Sequence, residues 1–241
     1  MTMLLAETWD GVTDVRGWWM SEKLDGVRAY WTGTHFQSRQ MNLFNAPSWF
    51  IDRLPPYALD GELWIGRGMF QKTVSVVRKR KPDEGWQRVR FVVFDSPDHE
   101  GGFEERIAAA RQYFDSVALP NVEVIAQREC HGVDDLRDSL AEVEAAGGEG
   151  LMVRRPGSPY ERRRSPTLLK VKSFRDAEAK VVGHEAGSGR NAGRLGALMC
   201  ELPNGVQFEI GTGLADSERI DPAPVGSVVT FRYQQLTDRG A

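Results

Sequence analysis

The apolar and polar positions of the first 174 residues form short alternating runs, with two longer amphipathic stretches between them. Runs of this kind are typical of β-strands, and they predict strands at 27–31, 63–65, 89–94, 122–126, 151–154 and 168–171. The stretch 104–117 places Ile107, Ala110, Arg111 and Phe114 on one side of a helix. A second helix is predicted over 134–146, with an acidic cap and Gly147-Gly148 at its end. This mixture predicts one α+β domain.

The pattern changes after Arg175, where short strand-like runs follow one another. Strands are predicted at 179–184, 195–202, 206–210 and 228–233, and no helix of any length. Pro203-Asn204-Gly205 lies between two of these runs and predicts a hairpin turn. About 65 residues of short strands are typical of a small β-barrel of the OB type. We therefore expect two domains, 1–174 and 175–241, joined by a hinge about which the second should rotate.

Composition argues against a membrane span and against a signal peptide in the sequence as written. Hydrophobic residues make up 41% of the 241 residues, yet no run of about 18 apolar residues occurs. The first residues lack the basic flank and the long apolar segment of a signal peptide, so we expect a cytoplasmic protein without membrane contact. Cys130 and Cys200 have no nearby cluster of metal ligands, which leaves two free thiols or a single disulfide as alternatives.

Basic residues are concentrated in two segments, although the whole chain carries a net charge of −3. The segment from Arg154 to Arg175 contains eight basic residues and one acidic residue, a charge of +7 that leaves −10 for the rest. Arg78-Lys79-Arg80-Lys81 forms a second block. Such runs are often only solvated faces, but two of them on an acidic chain favour a polyanionic partner. The candidate DNA contacts are Arg154, Arg162, Arg163 and Arg164.

The stretch Lys23-Leu-Asp-Gly-Val-Arg28 contains the first candidate chemistry. A lysine attacks as the neutral amine, and its free pKa is about 10.4, so the site must favour that form by burial or by nearby positive charge. Gly26 would let the backbone approach a ligand closely, and Arg28 offers a fork for phosphate or ribose oxygens. Asp25 would either orient Lys23 or shape the turn. Taken alone, the stretch has a surface turn as its alternative interpretation.

Five further elements follow in order along the chain. They are Ser38-Arg39, Leu59-Asp-Gly-Glu-Leu-Trp64, Phe91-Val-Val-Phe-Asp95, Glu149-Gly-Leu-Met-Val-Arg154 and Leu168-Leu-Lys-Val-Lys-Ser173. Glu62 and Glu149 supply hard oxygen donors suited to Mg²⁺, and Phe94 offers an aromatic face to a flat base. Lys170 and Lys172 are predicted to share one face of a strand, because strand side chains alternate.

The order and spacing of these six elements resemble the covalent nucleotidyltransferases, the superfamily of polynucleotide ligases and mRNA capping enzymes. Within it, the sequence looks most similar to the minimal bacterial ATP-dependent DNA ligases of the E type (Lig E). The matching stretches are Trp18-Trp-Met-Ser-Glu-Lys-Leu-Asp-Gly-Val-Arg28, Leu59-Asp-Gly-Glu-Leu-Trp64, Gly148-Glu-Gly-Leu-Met-Val153, Asp176-Ala-Glu-Ala-Lys-Val-Val-Gly-His184 and Phe231-Arg-Tyr-Gln234. The resemblance runs over nearly the whole chain.

This resemblance implies a nucleotidyltransferase (adenylation) domain of mixed antiparallel sheets and helices, followed by a small OB-type β-barrel. It implies a DNA ligase that uses ATP and Mg²⁺ to seal nicks in duplex DNA, through a lysyl-AMP and a 5′-adenylated DNA intermediate. We expect the enzyme to be a monomer. Lig E proteins often carry an export signal, so a periplasmic location is the alternative to a cytoplasmic one if such a signal has been removed.

The resemblance also implies a role for each candidate that faces phosphate. Lys23 matches the lysine that attacks the α-phosphate of ATP and becomes adenylated. Lys170 and Lys172 match the pair that neutralises this phosphate. Arg28 matches the arginine near the ribose and the nick phosphate, and Arg39 matches a phosphate-binding arginine. Paired cations suit this chemistry, because the transition state at phosphorus spreads negative charge over its oxygens.

Three further residues receive roles from the same resemblance. Glu62 matches the carboxylate that contacts the ribose or a metal-bound water, and Glu149 matches a metal-binding carboxylate. Phe94 matches the aromatic side chain that stacks on adenine, with a plain core position as its alternative.

The sequence departs from the family pattern in two places. Gln40-Met41 follows Ser38-Arg39 where the family usually has glycine, which predicts a stiffer or differently shaped loop on the phosphate side. The sequence ends at Leu236-Thr-Asp-Arg-Gly-Ala241, whereas family members continue into a basic last motif of the OB domain. That motif orients the pyrophosphate leaving group, so a chain without it is expected to self-adenylate slowly and still to join a pre-adenylated nick.

Two other functions are compatible with parts of this pattern. An RNA ligase or a capping guanylyltransferase would share the six elements, and a guanylyltransferase would form its adduct from GTP alone. A non-catalytic module whose barrel holds single strands would bind DNA without any covalent adduct. The presence of Lys23, Glu62, Glu149 and Lys172 argues against the second alternative.

Overall fold

The computed structural model describes residues 3–233, and the chain divides into two compact units, Met1–Lys172 and Ser173–Ala241. The predicted domain boundary, between residues 174 and 175, lies two residues beyond this division. The predicted departure at residues 236–241 lies outside the described residues.

The first unit combines short strands with four helices and a 3₁₀ turn. In chain order its elements are β1 (Leu5–Thr8), β2 (Trp19–Glu22), β3 (Val27–Trp31), β4 (Phe36–Gln37), β5 (Leu43–Phe44), α1 (Ser48–Ile51), β6 (Leu59–Trp64), α2 (Phe70–Val77), a 3₁₀ helix (Glu84–Arg88), β7 (Arg90–Asp95), α3 (Phe103–Val117), β8 (Val122–Val124), β9 (Arg128–Glu129), α4 (Val133–Ala145), β10 (Leu151–Arg154) and β11 (Arg164–Val171).

Two sheets organise this unit. The five-stranded sheet has the order β1-β11-β10-β2-β9, and the six-stranded sheet has the order β5-β4-β3-β6-β7-β8. Neighbouring strands are antiparallel except β1 with β11 and β7 with β8, which are parallel. The six-stranded sheet comes from the continuous segment 27–124, and the five-stranded sheet from the segments before and after it. The chain therefore crosses between the sheets twice, after β2 and after β8.

One face of the six-stranded sheet is covered by helices. Ala29, Leu63 and Phe91 point into a core that also contains Val76 of α2 and Phe114 of α3. Aromatic rings pack edge to face in this core, and removing one large side chain would cost about 3–5 kcal/mol. Because strand side chains alternate, the intervening residues lie on the face opposite the helices, and several of them are buried as well.

A helix covers one face of the five-stranded sheet as well. Helix α4 packs Leu136 and Leu140 against Met20, Val153 and Leu169. The residues that alternate with these on the strands point away from α4. Each sheet therefore has a second face, opposite its helices, that can line a site.

Helix α3 confirms the predicted stretch and corrects which residues it buries. Ile107, Ala110 and Phe114 are buried as predicted, but Arg111 is exposed and Arg106 is buried instead. Arg106 lies among them because the Asp95 carboxylate balances its charge inside the unit.

Helix α4 begins differently from the prediction. Its N-cap is Gly132, with a φ of 133°, rather than an acidic side chain. Asp134 and Asp135 lie in the first turn, where they interact favourably with the positive end of the helix dipole.

The second unit is built on an antiparallel sheet. Its elements are β12 (Arg175–Ala186), a 3₁₀ turn (Gly189–Asn191), β13 (Leu195–Glu201), β14 (Gln207–Ile210), α5 (Asp216–Ile220) and β15 (Val228–Tyr233), and the sheet order is β14-β13-β12-β15. The predicted hairpin turn joins β13 to β14. The prediction of no helix was wrong, because the five residues of α5 form one turn. Ala179, Val181, Leu198 and Cys200 are at the centre of a small core.

Within residues 3–233, no helix has both the length and the apolar character needed to cross a bilayer. Cys130 and Cys200 are both buried free thiols. Burial raises the pKa of each thiol, so neither is an activated nucleophile.

Candidate active site

A cavity of about 360 Å³ is lined by residues from both sheets of the first unit, on the faces opposite their helices. Its volume is in the usual range for small-molecule sites. Eight of the residues singled out from the sequence line it: Lys23, Arg28, Arg39, Glu62, Phe94, Arg154, Arg164 and Lys170. Glu149 and Lys172 join this group through ion pairs, and Arg162 and Arg163 are outside the lining.

Lys23 stands where the chain leaves β2 and crosses to the six-stranded sheet. Its backbone amide donates to the carbonyl of Gly150 at 2.8 Å, which ties the crossover to the turn before β10. Its ammonium forms an ion pair with one oxygen of Glu149, and the ammonium of Lys172 pairs with the other oxygen. Two cations therefore share one carboxylate, and loss of a single proton would make the group of three neutral. Burial lowers the pKa of Lys172, an effect that Glu149 opposes.

Gly26 is required by packing within the protein. A Cβ at this position would lie 2.5 Å from the carbonyl oxygen of Leu63 and 2.7 Å from Cγ of Glu62. The close backbone approach that we expected toward a ligand is therefore an approach to strand β6. It brings the crossover that carries Lys23 against the strand that carries Glu62.

Asp25 shapes the same turn. One carboxylate oxygen accepts from the indole N–H of Trp64 at 2.9 Å, and the other accepts from the backbone amide of Gly68 at 2.8 Å. Of the two roles considered from the sequence, these contacts support shaping the turn.

Glu62 is a half-buried carboxylate on β6. No hydrogen bond or ion pair within the described part of the chain engages it, and burial raises the pKa of Glu62 to about 8, against the lowering effect of Lys23 and Arg28. A divalent cation beside it would favour the ionised form. Across residues 3–233, no three His, Cys, Asp or Glu side chains form a ready metal cage. Mg²⁺ commonly uses one or two carboxylates together with substrate phosphates, so Glu62 and Glu149 fit this ion.

Arg28 is fixed by the buried carboxylate of Asp60. Its Nε donates to Oδ1 at 3.0 Å and its Nη2 donates to Oδ2 at 2.6 Å, while the hydroxyl of Tyr160 donates to the same carboxylate at 2.5 Å. Burial opposes the charge of Arg28, yet Asp60 raises the pKa of Arg28 above its ordinary value. The guanidinium thus stays charged, and it lies 5.4 Å from the centre of the Phe94 ring.

Arg39 lies in the tight turn between β4 and β5, exposed at the edge of the cavity. Ser38 closes this turn by donating its amide to the carbonyl of Asn42 at 2.8 Å. Met41 has a φ of 67°, in the left-handed region that glycine adopts without strain. A methionine in this conformation carries a backbone cost of about 1 kcal/mol relative to glycine.

Lys170 belongs to a row of residues across the five-stranded sheet. The strand register pairs it with Met152, and Met152 with Ser21. Directly paired residues present their side chains on one face, and all three line the cavity. Lys172 lies one residue beyond the end of β11, where it pairs with Glu149.

Arg154, one of the predicted DNA contacts, is held inside the first unit. Its side chain is only 5% exposed, and its guanidinium donates to the hydroxyl of Ser158 at 2.8 Å and to Asp95 at 3.3 Å. Arg106 donates two further hydrogen bonds to Asp95. Held in this way, Arg154 is an internal cation at the wall of the cavity, and its contact with DNA stays a prediction. The charge run alone does not reveal that the side chain at the end of β10 points inward.

The other three predicted DNA contacts, Arg162, Arg163 and Arg164, differ in their surroundings. The guanidinium of Arg162 contacts the rings of Tyr30 and Tyr160, at 5.8 and 5.5 Å from their centres. Arg164 lines the cavity and donates to the backbone of β1. Arg163 is 68% exposed, against 35% for Arg162.

The second basic block, residues 78–81, follows the end of α2. Val76 and Val77 pack into the core on the covered face of the six-stranded sheet. The block therefore lies behind that sheet with respect to the cavity, and it is not part of the same surface.

Sequence reasoning overlooked three residues at this site. Asp60 stands in the same stretch as Glu62, Tyr160 stands in the basic segment, and Gln127 lines the cavity between β8 and β9. Their importance depends on partners that are distant in sequence, so no local pattern identified them.

Comparison with known proteins agrees with this arrangement. A family model described as ATP dependent DNA ligase domain matches residues 4–172, and one described as DNA ligase OB-like domain matches residues 186–241. A DNA ligase of Haemophilus influenzae is 40% identical over 226 residues, which cover 94% of this chain and 84% of that protein.

Solved structures give the same answer. One from a structure-function analysis of DNA binding by Lig E DNA ligases, proteins with a minimal scaffold, is 40% identical, with a TM-score of 0.93 over 100% of this chain and 95% of that one. A Chlorella virus DNA ligase-adenylate shares the fold at 24% identity, with a TM-score of 0.61 over 99% of this chain and 93% of that one. The chain thus belongs to the ATP-dependent DNA ligases, with a nucleotidyltransferase domain followed by an OB-like domain.

Proposed function

We propose that this enzyme seals nicks in duplex DNA as a monomer, through a covalent AMP adduct on Nζ of Lys23. The observation that carries the proposal is the position of Lys23 in the cavity, where it shares the carboxylate of Glu149 with Lys172. A lysine in this setting can give up its proton without leaving the carboxylate unpaired, because the second ammonium stays beside it.

The first step forms a bond between Nζ of Lys23 and the α-phosphorus of ATP. The bond from that phosphorus to the oxygen bridging the α- and β-phosphates breaks, and pyrophosphate leaves with the electron pair of that bond. The lysine ammonium releases two of its three protons to water, and Nζ keeps one in the adduct. Positioned cations are the main source of catalysis in such a transfer. Lys170, Lys172 and Arg39 are the cations available to the phosphate oxygens, and Phe94 offers its ring to the base.

Glu62 and Glu149 would hold a magnesium ion at this site. Such an ion would neutralise phosphate charge. The Lys23–Glu149–Lys172 group has a net charge of only +1 and does not do this alone. The unpaired carboxylate of Glu62 supports this assignment, because its desolvation is compensated only when a cation is present.

The second step moves AMP from Lys23 to the 5′-phosphate at the nick, and the third lets the 3′-hydroxyl displace AMP. Arg28 is the residue best placed to orient the ribose and the nick phosphate, because Asp60 fixes its guanidinium and keeps it charged. Arg162, Arg163 and Arg164 are the more accessible candidates for contact with the duplex backbone, since Arg154 is buried.

The test uses labelled ATP, Mg²⁺ and a denaturing gel. Lys23→Ala should form no labelled adduct and seal no nick that starts from ATP, because no parallel nucleophile exists. It should still join a nick whose 5′-phosphate is already adenylated. The matched control is Lys72→Ala, an exposed lysine on α2 on the covered face of the sheet, which should behave like the wild type.

Three comparisons distinguish the proposed function from the alternative functions. All-DNA nicks should be sealed faster than nicks with RNA strands, and chelation by EDTA should stop adduct formation. Labelling by GTP in place of ATP would indicate a guanylyltransferase. Labelled adduct on the Lys23→Ala enzyme would end the assignment of the nucleophile.

A further inference from the structure

Gln127 lies in the second crossover between the two sheets, in the gap between β8 and β9. Lys23 lies in the first crossover, and both residues line the same cavity. The residue after Gln127, Arg128, pairs with Met20 on β2. This antiparallel register places the backbone of Gln127 beside Ser21, two residues before Lys23.

The carboxamide of Gln127 has no protein partner in the described part of the chain. Its Oε1 is buried without a donor, and no hydrogen bond between described residues engages its Nε2. An unpaired buried polar atom costs about 1–3 kcal/mol. A carboxamide can turn about its last bond and present either its oxygen or its NH₂ group to the cavity. Because Oε1 has almost no accessible surface, a turn of the carboxamide is needed to bring it to the cavity, where a ligand can supply the missing partner.

The wall next to Gln127 is apolar. The amide of Ile125 donates to the carbonyl of Val93 at 2.9 Å, which holds this crossover beside the end of β7 where Phe94 stands. Ile125, Phe94 and Met152 line the cavity. A nucleotide combines a flat apolar base with anionic phosphates, so its base belongs with these side chains and its phosphates belong with the lysines.

We propose that Gln127 selects adenine over guanine by pairing its carboxamide with the N6 amino group and N7 of the base. The oxygen and the NH₂ group of a glutamine match this edge of adenine, one accepting from N6 and one donating to N7. Guanine presents two acceptors there, O6 and N7, so the carboxamide oxygen would face an acceptor and lose its partner. The inference rests on the proposed function, because it takes the cavity as the nucleotide site, and it names the residue that decides which nucleotide enters.

The experiment compares wild type with Gln127→Met, a change that keeps the length of the side chain and removes both hydrogen bonds. The kcat/KM for enzyme–nucleotide adduct formation is measured with ATP, with 7-deaza-ATP, which lacks N7, with purine riboside triphosphate, which lacks the N6 amino group, and with GTP. Gln112→Met, at an exposed position of α3, is the matched control.

For wild type and for Gln112→Met, kcat/KM should be about tenfold or more lower with either analogue than with ATP, because each analogue leaves one end of the carboxamide unpaired. Gln127→Met should lose roughly ten- to a hundredfold with ATP. For this variant, replacing ATP by either analogue should lower kcat/KM only slightly further. The ratio of its kcat/KM with ATP to that with GTP should fall, relative to wild type, by about the same factor as its loss with ATP.

Two results would overturn the proposal. If Gln127→Met lowers kcat/KM by one common factor for all four nucleotides, the residue acts only through the structure. If it changes nothing, the carboxamide does not contact the base. A wild-type enzyme that forms no adduct from any nucleotide would overturn the proposed function as well, which separates the two failures.

Discussion

Replacing Gly26 by alanine should damage both the stability of the first unit and its chemistry. The added Cβ would lie 2.5 Å from the carbonyl oxygen of Leu63, so the crossover and β6 must separate by about 0.9 Å to reach ordinary contact. Val27 and Leu63 form the end of the β3–β6 ladder, and we expect this pair to open. Overpacking of this kind costs about 1–3 kcal/mol. A shift near 1 Å between Lys23 and Glu62 should slow adduct formation by about 10²-fold.

Two measurements test this prediction. Urea unfolding followed by tryptophan fluorescence reports on the first unit alone, because all seven tryptophans lie in it. Adduct formation from labelled ATP gives the rate. The control is Gly66→Ala, where the nearest atom to the new Cβ is Cγ of Met69 at 3.9 Å, and we expect a change within about 1 kcal/mol. A Gly26→Ala enzyme as stable and as fast as the control would refute the packing argument.

Three further changes test separate features. Met41→Gly should relieve the left-handed strain and change the free energy of unfolding by at most about 1 kcal/mol in the stabilising direction, since the freer unfolded chain offsets part of the gain. A clear loss of stability would contradict the strain. Glu62→Gln should gain stability over wild type as pH rises from 4.5 to about 8, by up to about 1.4 kcal/mol per pH unit. In the wild type, the folded state binds the Glu62 proton more tightly than the unfolded chain does, and the resulting stabilisation is lost as pH rises through this window. Without metal or nucleotide, the free energies of unfolding of the two proteins in urea should therefore converge below pH 4.5. Arg163→Glu should weaken binding to nicked DNA and reduce the slope of log K against log salt by about 1. Arg80→Glu, behind the six-stranded sheet, should leave that slope unchanged, and equal effects of the two would place the duplex elsewhere.

Strands with strong local patterns were predictable, and strands defined by distant partners were not. The β-branched and aromatic residues of β3 and β15, and the apolar run of β10, gave the positions of these strands closely. β1 was missed, because Leu-Ala-Glu-Thr has little β-propensity and becomes a strand only by pairing with β11, about 160 residues away. α2 was missed as well, since its β-branched residues are poor helix formers and its Val76 and Val77 gain stability from the core.

The site shows the same division between local and distant information. Lys23, Glu62 and Glu149 could be singled out because each stands in a short stretch whose chemistry is legible by itself. Asp60 could not, because its buried contacts with Arg28 and Tyr160 join three separate parts of the chain. The burial of Arg154 was missed for the converse reason, since counting charges gives no information on which side of a strand each one lies.

In the sequence, the segment that forms the six-stranded sheet lies between the two segments that form the five-stranded sheet, and this order has a consequence for biosynthesis. All strands of the six-stranded sheet have been made once residue 124 is added, but the five-stranded sheet must wait for residue 171. At roughly 5–20 residues per second, this leaves β1 and β2 without their partners for several seconds. Both crossovers of the cavity, with Lys23 and Gln127, are anchored to the sheet that forms last. A nascent chain should therefore acquire nucleotide binding in one late step, and cellular ATP would then stabilise only chains in which that sheet is complete.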